Sequence, residues 1–194
     1  MDIMNVFKLI STDRLLIRKL DTTYKNAFFE YRSLPEVYEY QNFKPLDTKE
    51  ADEFIRSIAE YPDIPNTWFQ LAVCIKNNNK LIGDIGIHFL EDDDQIEIGY
   101  TIAPDFQGQG YAIEALRVVI NYLFTDLRKH RIIASVDPDN IKSVKLLDKL
   151  GMRKEAHFIK SIKMSGVWLD DCIYAILNEE WNINLDLKGV LNEI

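Results

Sequence analysis

The stretch IEIGYTIAPDFQGQGYAIEALRVVINYLF, residues 96–124, constrains the fold more than any other part of the chain. Its first eight residues alternate. Ile96, Ile98, Tyr100 and Ile102 share one face, and Glu97, Gly99 and Thr101 share the other, which is the period of a strand. Pro104 breaks the strand. Residues 112–124 then carry apolar side chains at helical spacing and predict a buried, amphipathic helix. A strand that runs through a glycine turn into a buried helix calls for a sheet with a helix packed on it.

The flanking sequence extends this pattern. RLLIRKL (14–20) reads as a first strand, and Asp21 caps a helix over about residues 22–33 that carries Phe28, Phe29 and Tyr31. Asp47 heads an N-cap pattern with Glu50 at its fourth place, and a helix follows to about Glu60. Residues 68–76 and 81–90 are strands joined by the turn NNNK, and EDDDQ (91–95) turns into the strand at 96–103. RIIASVD (131–137) is a strand, and IKSVKLLDKL (141–150) a helix that stops at Gly151. FIKSIKM and WLDDCIYAIL close the pattern as two strands, a hairpin around Ser165 and Gly166. The order β-α-α-β-β-β-α-β-α-β-β describes a mixed α/β (α+β) sheet flanked by helices, read as one domain over 1–194 with its core at about 8–181.

Charge and composition narrow the classes of function. With 31 acidic against 23 basic residues, the net charge of −8 disfavours nucleic acid as a partner and suits a cationic substrate. No apolar run approaches about 18 residues and the first residues lack a basic n-region, so neither a membrane span nor a signal peptide is expected. Cys74 and Cys172 lie far apart in apolar runs, without metal-ligand spacing. They read as core residues of a cytoplasmic protein, and no metal is expected.

The glycine turn carries the chemistry. A helix start leaves backbone N–H groups unpaired, and glycine lets an anion approach them. Gln107, Gly108, Gln109, Gly110, Tyr111 and Ala112 are thus either an anion cradle or a plain turn. A Walker A loop needs Lys-Ser/Thr after its second glycine, which is absent. A Rossmann fingerprint needs a third glycine where Ile113 stands, and a first strand before it.

Gln107-x-x-Gly110-x-Ala112 resembles the acyl-CoA pyrophosphate motif of the GNAT N-acetyltransferases. STDRLLIRKL, IGYTIAPDFQGQGYAIEAL, DNIKSVKLLDKLGM and WLDDCIYAIL followed by EEW are similar to the RimJ/RimL-like branch, the ribosomal-protein N-terminal acetyltransferases. The resemblance implies a GNAT fold whose strands near 96–103 and 131–137 splay apart to admit CoA. It implies acetyl transfer from acetyl-CoA directly to a primary amine, without a covalent enzyme intermediate. Tyr100, Thr101, Ile102 and Ala103 would line the pantetheine arm, with Ile102 the leading backbone contact. The turn from Gln107 to Ala112 would hold the pyrophosphate, and Asn140 would stand beside the CoA arm. Phe106 is expected to pack.

Many family members carry a tyrosine seven residues after the asparagine to protonate the leaving thiolate. Leu147 stands there in this chain. The branch it resembles lacks that tyrosine too, which implies Ser143 as proton donor. Taken alone, Asn140 and Ser143 read as a helix cap and a first-turn polar residue; the glycine motif in register turns Asn140 toward the CoA arm. The base stays open among Glu97, His88, Asp170 and Asp171, and Glu97 reads either as that base or as a solvated strand residue. Acetyl-CoA and an amine are the expected partners of a monomer or homodimer. The amine is a protein N-terminus or a small amine of polyamine or aminoglycoside type. A non-catalytic acyl-CoA-binding module is the other class the residues allow.

Overall fold

The structure is a computed structural model that describes residues 6–41, 43–92, 94–164 and 166–181. A two-residue strand, β1 (Ile10–Ser11), and β2 (Leu15–Lys19) lead into a 3-10 turn at Thr22–Tyr24 and α1 (Lys25–Arg32). Next come α2 (Pro35–Tyr38), α3 (Thr48–Ser57), β3 (Thr67–Ile75), β4 (Leu81–Phe89) and β5 (Gln95–Ile102). Then follow α4 (Tyr111–Thr125), β6 (Arg131–Val136), α5 (Ile141–Leu150), β7 (Arg153–Met164) and β8 (Val167–Leu177). All eight strands form one sheet in the order β1-β2-β3-β4-β5-β6-β8-β7. Every neighbour pair is antiparallel except β5 with β6, which the crossover helix α4 makes parallel.

The caps read from the sequence hold the helices. Asp47 accepts from the N–H groups of Lys49 (2.9 Å) and Glu50 (2.8 Å) at the start of α3. Asp21 accepts from Thr23 N–H at 2.8 Å, but what it caps first is the 3-10 turn, so α1 begins later than expected. α5 closes on Gly151 in the left-handed conformation, φ +84°. Three differences have physical causes. α3 stops at Ser57, not near Glu60, because the chain turns extended at Ile58 and Ala59 N–H bonds to Trp68 O at 2.8 Å. β7 begins at Arg153, ahead of Phe158, since pairing with β8 rather than any alternation defines it, and two register shifts interrupt that pairing. β1 and the four-residue α2 are too short to leave a period. Ser165, in the expected β7–β8 turn, and Asp93, in the β4–β5 turn, lie outside the described residues.

Alternation along the central strands sends apolar side chains to both faces. Leu71, Val73, Ile85, Ile87, Ile96 and Ile98 meet Leu116, Val119, Ile120 and Leu123 of α4 and Leu147 of α5. Ala72 and Cys74 face the other way, toward Phe28 and Tyr31 of α1 and Ala51 and Ile55 of α3. Both cysteines are buried free thiols, as expected.

One feature of the sheet creates a site. β5 pairs with β6 only at Gln95↔Arg131, Ile96↔Ile132 and Glu97↔Ile133. Beyond that point β6 stays with β8 as far as Val136↔Cys172, and β5 stays with β4 as far as Ile102↔Gly83, so the two strands part. The splay expected between 96–103 and 131–137 is therefore present.

Candidate active site

The splay opens a cleft of about 420 Å³ that reaches residues on both faces of the sheet. Asn140, Ser143, Ile98 and Tyr100 line it toward the α4–α5 side. Trp68, Gly86, Glu97, Gly99, Thr101 and Asp171 line it toward the α1–α3 side, and Asp170, next to Asp171 on β8, lines it from the opposite face.

Backbone groups are exposed to this cleft by strand register. Ala103 N–H donates to Ile82 O at 2.8 Å, so Ala103, Thr101 and Gly99 face β4 in the antiparallel ladder. Tyr100 and Ile102 must then turn their N–H and C=O groups the other way. No strand among the described residues pairs with them there. Ile102 O is met by Gln107 Nε2–H at 2.9 Å, which ties the strand end to the turn. Gln107 Oε1 accepts from Lys142 Nζ at 3.1 Å, which sets a cation beside the turn.

The turn itself is a row of donors without partners among the described residues. Gly108 and Gly110 take φ of +74° and +82°, which favours glycine, and nothing lies within 4 Å of where a Cβ of Gly108 would stand. Gly110 occupies the N-cap position of α4 and offers no capping side chain. Gln107 N–H already donates to Pro104 O at 3.0 Å, so the N–H groups left to an anion begin at Gly108 and run to Ala112. The positive end of a 15-residue helix adds to them. Arg14 braces the turn. It donates to Gln109 O at 3.0 Å, pairs with Glu114 at 2.6 Å and lies over the Tyr111 ring at 4.4 Å. Burial pushes the Glu114 carboxyl up, but hydrogen bonds from Thr12 and Arg14 outweigh it and hold the group below its usual range. Phe106 packs between the two cores, as expected.

Asn140 caps α5. Its Oδ1 accepts from Ser143 N–H at 3.1 Å, which leaves its amide NH2 available to a ligand, so the cap and the ligand roles are compatible. Ser143, on the first turn of α5, lies with its Oγ 2.5 Å from the Tyr100 hydroxyl.

On the opposite face, three rungs cross β3, β4 and β5. They are Trp68–His88–Glu97, Gln70–Gly86–Gly99 and Ala72–Asp84–Thr101. The middle rung has two glycines in place of side chains, and a Cβ at Gly99 would meet nothing within 4 Å. A trough results over Gly99, walled by Trp68, which stacks on His88 at 4.7 Å, while over Gly86 the Gln70 and Trp68 side chains close in to 3.0 and 3.1 Å of where a Cβ would stand. His88 Nδ1 is 3.5 Å from Glu97 Oε2, so the structure brings two of the four candidate bases together. Asp171 is buried and accepts from Ser135 Oγ at 2.7 Å. Asp170 is bound by Lys160 N–H and His157, which hold its carboxyl below the usual range and make it a poor proton acceptor.

A sequence profile described as the acetyltransferase (GNAT) domain matches residues 14–153, from β2 to the start of β7. The chain belongs to the GNAT acetyltransferase family. Its relatives agree with this. The uncharacterized N-acetyltransferase YnaD of Bacillus subtilis is 34% identical over 173 residues, which cover 89% of this chain and 99% of YnaD. A crystal structure of a GNAT-family acetyltransferase from Bacillus anthracis superposes with a TM-score of 0.81 at 31% identity, covering 89% of this chain and 99% of that one. The [ribosomal protein uS5]-alanine N-acetyltransferase of Escherichia coli is 34% identical over 84 residues, 43% of each chain. The protein is thus a GNAT N-acetyltransferase, a fold that uses acetyl-CoA as acetyl donor.

Within this GNAT site, several residues escaped sequence reasoning. Tyr100 was expected in the site for its strand backbone, but the contact of its hydroxyl with Ser143 was not foreseen. Lys142 lies between the two α5 residues singled out and has no motif of its own. Arg14 and Glu114 are 100 positions apart, beyond any local pattern. Beneath the trough, Asp84 is fully buried and joined to Arg32, Tyr31 and Gln70. Arg32 reaches on to Gln41, which donates to Thr101 Oγ1 at 2.6 Å. An aspartate inside LIGDIGI was the available signal for this network, since a carboxylate in a buried strand demands partners.

Proposed function

We propose that the protein transfers acetyl from acetyl-CoA to a primary amine, with a protein N-terminal amine as the acceptor. The observation that carries this is the cleft through the splayed sheet, with a row of N–H groups on one side and a glycine trough on the other. In this reading the pyrophosphate lies on Gly108–Ala112, beside Lys142 and Asn140. The thioester lies along Tyr100–Ala103, where a backbone N–H toward the cleft can meet the charge that develops on its oxygen. The amine enters from the trough. An alkyl amine has a pKa near 10 and must lose a proton to attack, and Glu97, backed by His88, is the carboxylate placed to take it directly or through water. The Ser143 hydroxyl stands at the leaving-group end.

An N-terminus suits the trough because the open space over Gly99 gives room for a peptide backbone, and the named uS5-alanine enzyme is a relative. A small amine is the second reading. It is favoured by the carboxylates of Glu97, Asp137, Asp170 and Asp171 around the cleft, where the one Arg32 charge is already paired with Asp84.

Two measurements test this. Acetyl-CoA at about 100 times its Kd should stabilise the fold by roughly 2.7 kcal/mol, a Tm rise of about 5–10 °C for a chain of this size. Thiol release on a panel of N-terminal peptides and small amines should then show turnover. No stabilisation would overturn the proposal, and stabilisation without thiol release on any amine would leave a binding module.

Gly99→Val separates the two substrates. Its backbone is extended and the space is open, so stability should hold or rise by about 0.5–1 kcal/mol. The added methyls fill the trough, so kcat/KM for the amine should fall about 100-fold while acetyl-CoA binding is unchanged. Full activity in a folded Gly99→Val protein would refute the trough as the acceptor site.

A further inference from the structure

Tyr100 and Ser143 come from different elements, β5 and the first turn of α5, yet their hydroxyls lie 2.5 Å apart and both residues line the cleft. One turn further along the same helix face, Leu147 is fully buried and offers no donor. Aminolysis of a thioester breaks the C–S bond with its electron pair going to sulfur, so negative charge must be received at this end of the cleft. A phenol is the better donor of the two hydroxyls, and Ser143 can in turn donate to the phenolic oxygen.

We infer that Tyr100 donates a hydrogen bond to the departing CoA thiolate, and that Ser143 is a positioning residue that aims the phenol and donates to its oxygen. The inference rests on the function proposed above and changes the role of Ser143 from proton donor to support. Burial pushes the Tyr100 phenol up to about 12, against the opposing pull of Ser143. Free thiols ionise near 8–9, so the phenol keeps its proton and the sulfur departs as a thiolate. The role of Tyr100 is charge stabilisation: no proton changes owner at sulfur, and the amine's proton leaves through Glu97 or water.

The test is the pKa of the thiol of bound CoA, followed by thiolate absorbance, in wild type, Tyr100→Phe and Ser143→Ala. Wild type should depress that pKa by about one unit relative to free CoA, and Tyr100→Phe should abolish the depression while still binding CoA. Its kcat should fall about 100-fold with little change in the KM for acetyl-CoA, and Ser143→Ala should lose only several-fold. Desulfo-CoA should bind all three proteins alike. An unshifted thiol in wild type, or an equal shift in Tyr100→Phe, overturns the inference. A shift that depends on Tyr100, in a protein that acetylates no amine, supports the Tyr100 contact and overturns the proposed turnover instead.

Discussion

Asp84→Ala is expected to destabilise the fold by about 3–5 kcal/mol, the usual cost of leaving one member of a buried ion pair alone. Asp84 is fully buried and Arg32 nearly so. The carboxylate accepts from Arg32 Nε at 3.1 Å, and also from Arg32 Nη2, from Tyr31 Oη and from Gln70 Nε2. Its removal leaves a guanidinium, a phenol and an amide without that acceptor at the buried base of the cleft. For a chain of this size the loss corresponds to a fall in Tm of about 6–20 °C. Urea melts of Asp84→Ala, and of the double variant with Arg32→Met, check the cause. The double variant should recover part of the stability because the unpaired charge is gone. A loss under about 1 kcal/mol in Asp84→Ala would show that water reaches the pair.

Gly110→Glu is expected to abolish acetyl-CoA binding. At φ +82° any L-residue with a Cβ is strained by roughly 1–2 kcal/mol, and the Cβ would stand 3.4 Å from Arg14 Nη2. The larger effect is on the ligand. The new carboxylate enters the row of N–H groups proposed for the pyrophosphate and repels it. Loss of two charge-assisted hydrogen bonds, at about 1.5–3 kcal/mol each, corresponds to roughly a thousandfold rise in Kd. Gly110→Asn tolerates the left-handed backbone and adds no charge, so it should fold and keep most of the affinity. Titration of the thermal shift with acetyl-CoA compares the three proteins. Unaltered binding in Gly110→Glu would move the pyrophosphate elsewhere.

How far the chain could be read beforehand followed the range of each interaction. The β5-turn-α4 unit was legible because alternation, a proline and two glycines all lie within 30 residues. The caps at Asp47, Asn140 and Gly151 were legible for the same reason. The paired edges were not. β7 carries mostly exposed side chains, so its first five residues look like loop until β8 is beside them. At the site, Gly110 and Asn140 could be singled out as carriers of local geometry. The Tyr100–Ser143 contact spans 43 positions and the Arg14–Glu114 brace 100, and they depend on how β5 meets α5 and how α4 meets the N-terminal strands. Asp84 is the instructive omission. One carboxylate in an apolar strand signals a buried partner, but not which of the chain's 23 basic residues supplies it.

The parting of β5 from β6 gives this sheet two independently mutable surfaces. The groups proposed for the acyl donor belong to the turn, to α5 and to the face of β5 that carries Tyr100 and Ile102. Those proposed for the acceptor belong to the rungs of β3, β4 and β5 on the other face. Substitutions at Trp68 or Gly99 on that face leave the N–H row at Gly108–Ala112 untouched. A lineage built on this sheet can therefore change which amine it serves while keeping one acyl donor.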